Sequence, residues 1–80
     1  MRTPATGTVE SFDHSFGFGY ITPDDGGDRL FFDFTDIQAS PRYLTAGQSV
    51  EFDRIDVPAS GKTQAVRIRP IYAGRQRRAA

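Results

Sequence analysis

Nowhere in these 80 residues do apolar side chains recur at i, i+3, i+4 and i+7 across eleven positions free of glycine and proline. A chain without that period has no long amphipathic helix to pack. It offers instead five short runs rich in β-branched and aromatic residues, at 6–12, 18–22, 29–34, 49–55 and 63–69. Turn residues close each run, which is the pattern of an all-β barrel or sandwich. Pro23-Asp24-Asp25-Gly26 shows the mechanism: proline presets φ, aspartate bonds its own backbone, and glycine takes positive φ. Val57-Pro58-Ala59-Ser60-Gly61 forms a second such turn, and 38–47 a longer connection holding Ser40-Pro41. Residues 35–37 are enough for one helical turn, and Pro70 weakens any continuation of the last strand.

Five strands with a long third connection predict an all-β, five-stranded Greek-key barrel of the OB type. A sandwich needs about seven strands. The length fits one domain, and a domain this small buries only about 60% of the surface its unfolded chain exposes, leaving no room for a deep catalytic cleft. Residues 1–5 are expected to form an N-terminal extension, 6–72 the barrel, and 73–80 a basic flexible tail with no apolar pattern. No stretch reaches the ~20 apolar residues of a membrane span. Met1-Arg2-Thr3-Pro4 leads into no apolar run, so no signal peptide is expected. The absence of cysteine excludes disulfides and thiolate metal sites and suits a reducing compartment, so a cytoplasmic location is expected.

The formal net charge of zero hides an asymmetry. Between residues 6 and 72, six cations (Arg29, Arg42, Arg54, Lys62, Arg67, Arg69) face ten carboxylates, a balance of −4. Arg2, Arg75, Arg77 and Arg78 restore neutrality, so an acidic body carries basic ends. Two readings of the tail stand side by side: a solubilising end, or an arm that attracts phosphate.

Strand parity sorts the aromatic residues. In Phe16-Gly17-Phe18-Gly19-Tyr20-Ile21, Phe18 and Tyr20 share one face, Gly19 and Ile21 the other. Glycine and isoleucine suit a curved interior, which turns Phe18 and Tyr20 outward. In Leu30-Phe31-Phe32-Asp33-Phe34 the same rule points Phe31 and Asp33 outward and Leu30 and Phe32 inward. A hairpin across the Pro-Asp-Asp-Gly turn brings Phe31 beside Phe18 and Tyr20. Phe34 joins them if the strand bulges at its end, and Phe12 borders the same patch from the first strand. Exposed aromatic rings in a row suit stacked nucleobases, worth roughly 1–3 kcal/mol each with little sequence preference. The expected core is Val9, Ile21, Leu30, Phe32, Ile37, Val50, Val66 and Ile68, with Val66 and Ile68 alternating with Arg67 and Arg69.

Thr6-Gly7-Thr8-Val9, Phe12, the run from Gly17 through Gly26, Phe31, Phe34, Ile37-Gln38, Leu44, Gly47-Gln48 and Val50 together resemble the cold-shock domain, in order and nearly in spacing. The resemblance covers residues 6–71. It implies an OB barrel, binding of single-stranded RNA or DNA, and RNA chaperone activity. On that resemblance the nucleic-acid-binding residues are Phe12, Phe16, Phe18, Tyr20, Phe31, Phe34 and Tyr43. The chain departs from the family at several of its contacts. Glu10-Ser11 stand where Lys-Trp is usual, Phe16 replaces a lysine, and Asp33 replaces a histidine. Tyr43 lies within two residues of the usual loop phenylalanine. Glu10 and Asp33 would repel phosphates, and the lost tryptophan and cations point to weaker binding. Phe16 and Tyr43 restore some stacking area.

Other chemistry finds little support. His14 beside Asp13 reads as a solvated turn residue, since Zn²⁺ takes about four ligands. Asp24, Asp25 and Asp28 read as a turn, because no twelve-residue calcium-loop pattern follows. No metal site, cofactor or catalytic motif is expected, and Asp13-His14-Ser15 are adjacent residues that point apart. The alternative to nucleic acid is a degenerate domain whose acidic, aromatic face serves as a protein-interaction module. Monomer and strand-exchanged dimer both remain open.

Overall fold

A computed structural model describes residues 4–40 and 42–71. The arginine-bearing segment 73–80 lies outside the described residues, as do residues 1–3. The five runs form five strands: β1 (Ala5–Asp13), β2 (Phe18–Pro23), β3 (Leu30–Asp33), β4 (Ser49–Val57) and β5 (Lys62–Pro70). They close into a barrel in the order β1-β2-β3-β5-β4. All neighbours pair antiparallel except β3 and β5, which run parallel and meet at Phe31 and Gln64. The short helical turn falls one residue earlier than the sequence suggests, as a 3₁₀ turn over Phe34–Asp36. Asp33 caps it, accepting from the Thr35 N–H, while the Asp36 carboxylate accepts from the Asp33 N–H. That reciprocal cap satisfies donors the turn itself leaves open.

The barrel encloses Val9, Ile21, Leu30, Phe32, Ile37, Leu44, Val50, Phe52, Ala65 and Ile68, all buried. No buried side-chain polar atom among the described residues lacks a partner. Leu44 comes from the long connection, which is pinned to β1 where Val9 N–H donates to Gln48 O at 2.9 Å and Gly47 N–H to Val9 O at 2.8 Å.

The expected core needs one correction. Val66 is only half-buried, and Ala65 takes the inward place. Between the pairs Glu51↔Arg69 and Asp53↔Val66, β5 uses one more residue than β4. The extra residue is Arg67, at φ 50°. A bulge of this kind breaks the two-residue alternation, so inward positions are separated by three residues instead of two. A second register shift lies in β1 between Val9 and Ser11, where Glu10 is the extra residue and turns outward.

Candidate nucleic-acid interface

β2 and β3 present the aromatic face. Their register sets Tyr20 opposite Phe31 and Phe18 opposite Asp33. The rings of Phe18 and Phe31 stack at 5.9 Å, while Tyr20 meets Phe18 at 6.4 Å and Phe31 at 6.0 Å, both nearly edge-on. Phe16 extends the row, its ring 6.5 Å from Phe18. Phe16 is 78% exposed, whereas Phe18, Tyr20 and Phe31 are half-buried against each other.

Gly19 lets this face curve. It is buried opposite Phe12, and a Cβ there would come within 2.9 Å of both the Phe12 Cα and the Phe32 Cζ. Gly17, at φ 76°, turns the chain from the β1–β2 connection into β2. Its carbonyl accepts from the Phe34 N–H at 2.8 Å, and the Phe34 ring packs directly over its Cα. Phe34 thus reaches the end of the patch through the 3₁₀ turn, not through a strand bulge, and is 43% exposed.

Phe12 and Tyr43 form a second ring cluster. Phe12 stacks on the buried Phe32 at 5.6 Å and meets Tyr43 at 6.5 Å. His14, exposed on its turn, closes this second cluster, 5.1 Å from Phe12 and 4.4 Å from Tyr43. The sequence therefore places seven aromatic residues in one site, and the structure divides them into a row of four with Phe34 at its end, and a pair joined by His14. Of the two ring contacts of His14, the one to Tyr43 joins residues nearly thirty apart, and no local pattern signals it.

Four of the six described cations are paired with carboxylates of the barrel itself. Arg29 pairs with Glu10, Arg54 with Asp25, Arg67 with Asp53 and Arg69 with Glu51, at 3.2, 2.6, 2.6 and 3.1 Å. Among the described residues, Arg42 and Lys62 are the cations outside any ion pair. Asp33, expected to repel phosphate, is committed to its cap, accepting from both the N–H and the Oγ1 of Thr35. The Asp25 carboxyl is held below its ordinary value by the Gly27 N–H and then by Arg54. Arg29 also lies over Tyr20, its Cζ 4.2 Å from the ring centroid. Sequence reasoning missed it, although its parity with Phe31 and Asp33 would have placed it on the same face. Beyond Tyr20 and Phe31 opens a groove of about 770 Å³ toward the β4–β5 turn, reached by Arg29, Arg54, Lys62 and Gln64.

Among the described residues no three His, Cys, Asp or Glu side chains gather as a metal would require. No helix among them is long and apolar enough to cross a membrane.

Known proteins match this arrangement. Residues 5–71 match the 'Cold-shock' DNA-binding domain. Cold shock domain-containing protein 4 of Arabidopsis thaliana is 48% identical over 63 residues, covering 78% of this chain and 31% of that protein. The chain thus spans about a third of that plant relative. Cold shock-like protein CspG of Escherichia coli is 47% identical over 53 residues, covering 65% of this chain and 76% of that one. Among solved structures, Drosophila Unr CSD456 superposes with a TM-score of 0.73 at 30% identity, covering 88% of this chain and 27% of the other. With its barrel, its aromatic face and a match along nearly its whole described length, this chain belongs to the cold-shock domain family, whose members generally bind nucleic acid.

Proposed function

We propose that the chain binds single-stranded RNA or DNA by stacking bases on Phe18, Tyr20 and Phe31, with Phe16 and Phe34 at the margins, and acts in the cytoplasm as an RNA chaperone of the cold-shock type. One observation carries this reading: the unbroken series of ring contacts Phe16–Phe18–Phe31–Tyr20 on the outside of the barrel. The core is complete without these residues, so packing alone gives no reason for them. Bases stack on such rings with little regard to sequence, which suits a chaperone that must bind many strands briefly. Phe12 and Tyr43 lie on the second cluster and lengthen the path available to a strand. The internal ion pairs leave few cations for phosphate, so binding is weak and the arginine tail, residues 73–80, supplies most of the electrostatic attraction.

The test is fluorescence anisotropy with short single-stranded RNA and DNA at low salt. Micromolar or tighter binding that falls on Phe18→Ala and Phe31→Ala is the expected result. No binding to either strand, with the protein folded, overturns the proposal and favours a protein partner on the same face.

A further inference from the structure

We propose that Arg29 is a stacking surface for a nucleobase, its guanidinium forming one more layer on the aromatic face beyond Tyr20. The inference rests on the reading that this face stacks bases. Tyr20 is nearly perpendicular to Phe18 and Phe31, so neither ring is stacked in parallel on its faces. Its partner across the sheet, Ser11, is too small to cover them. Arg29 does so, with its Cζ 4.2 Å from the ring centroid. The same guanidinium donates from Nη1 to Glu10 Oε2 at 3.2 Å. Glu10 reaches it because the β1 bulge turns that carboxylate outward.

The Arg29 side chain keeps 57% of its surface exposed while its Cζ sits over Tyr20, so much of it stays within reach of a strand. A guanidinium is planar, delocalised and weakly hydrated, and nucleobases stack on it as they do on aromatic rings. Its charge is already matched by Glu10, so what it offers a strand is a flat polarisable surface more than a phosphate contact. It also borders the groove toward Lys62 and Gln64, so a base seated on it continues the path off the aromatic row. Glu10, which by charge alone should repel a strand, becomes the residue that holds this surface in place.

The test uses the full chain and a labelled single strand of about 8 nucleotides, within the range such barrels occupy. Arg29→Lys keeps the charge and removes the plane, while Arg29→Met removes both. Both variants are expected to lose affinity to a similar extent, roughly fivefold or more, with the slope of log affinity against log salt unchanged. Three results overturn the proposal. Parental affinity in Arg29→Lys means that charge suffices. A slope flatter by about 0.7 in Arg29→Met means a phosphate contact. Tighter binding by Arg29→Met means that the guanidinium is a cover over Tyr20. Phe31→Ala is titrated alongside. If it also binds like the parent, the stacking reading itself fails; if it alone weakens binding, only the role of Arg29 does.

Discussion

The rings of Phe18 and Phe31 lie 5.9 Å apart and 28° from parallel, on neighbouring strands but not directly opposite each other. Each half-buries the other, with Tyr20 touching both. The two should therefore act as a unit. In a double-mutant cycle for binding a short single strand, Phe18→Ala and Phe31→Ala are each expected to cost roughly 1–3 kcal/mol. The double variant is expected to lose less than the sum, since neighbours that share a contact couple by about 0.5 kcal/mol or more. Strict additivity would mean that the rings bind separate bases independently.

Gly19 tests the architecture beneath the face. A methyl group there meets the Phe12 Cα and the Phe32 ring at 2.9 Å, and the first of these is backbone that moves only with β1. Gly19→Ala is expected to destabilise the fold by about 1–3 kcal/mol in urea denaturation. For a barrel of this size that is a large fraction of the total. An unchanged denaturation midpoint would show that β1 has room to shift.

Arg67 sits at φ 50° in the β5 bulge, where a Cβ is strained. It also donates to Asp53 at 2.6 Å across an exposed face, a pair worth ~1 kcal/mol at most. Arg67→Ala and Arg67→Gly both remove the pair, but only glycine relieves the backbone. The glycine variant is expected to be the more stable by about 1 kcal/mol, read from thermal or urea midpoints. Equal stability would mean that the bulge relaxes without help.

Salt dependence tests where the attraction comes from. With Arg29, Arg54, Arg67 and Arg69 all paired with carboxylates on the barrel surface, affinity should fall only shallowly with salt. Truncation after Gly74 is expected to flatten the slope further, by about 0.7 for each arginine of the tail that contacts phosphate. A slope unaffected by truncation would assign the attraction to cations ahead of the tail, Arg42 and Lys62 with Arg2.

Asp25 makes a prediction about acid. The Gly27 N–H, and after it Arg54, hold its carboxyl below the ordinary value. The unfolded chain therefore takes up this proton more readily than the folded one. The stabilisation is in full above the unfolded value and is lost as pH falls through the folded one. An NMR titration of the side-chain carboxyls should show Asp25 titrating below an unperturbed aspartate. Arg54→Met should move it part of the way back, because the Gly27 contact persists. A midpoint at or above the ordinary value would remove both contacts from solution.

The strands and most of the core were legible in the sequence because both follow from local rules. Turn chemistry at Pro23 to Gly26 ended β2 where it does, and two-residue alternation turned Phe18, Tyr20 and Phe31 outward while burying Ile21, Leu30 and Phe32. Alternation failed where a strand carries an extra residue. Nothing in Gln64-Ala65-Val66-Arg67 announces a left-handed arginine, and so Val66 stood where Ala65 belongs. The candidate site was legible in its central row for the same reason of parity. Its flanks were not, because they are made by distant partners. Tyr43 comes to His14 across the barrel end, and Arg29 finds Glu10 only through the bulge in β1.

The seam where the barrel closes is narrow. β4 and β5 share a long antiparallel ladder, but β3 and β5 meet at the single pair Phe31↔Gln64, helped by a bridge from Ile37 to Ile68. A closed sheet breathes first where its backbone bonds are fewest. Phe31 stands on that line, and the groove beside it runs to Gln64 and Lys62 on the far bank. A strand of nucleic acid laid from Tyr20 across Phe31 to Lys62 would act as a clasp, tying the two banks from outside. Occupancy and closure then reinforce each other, since a ligand that holds only the closed form draws the population toward it. Slower amide exchange along 37–38 and 64–66 on binding would be its signature.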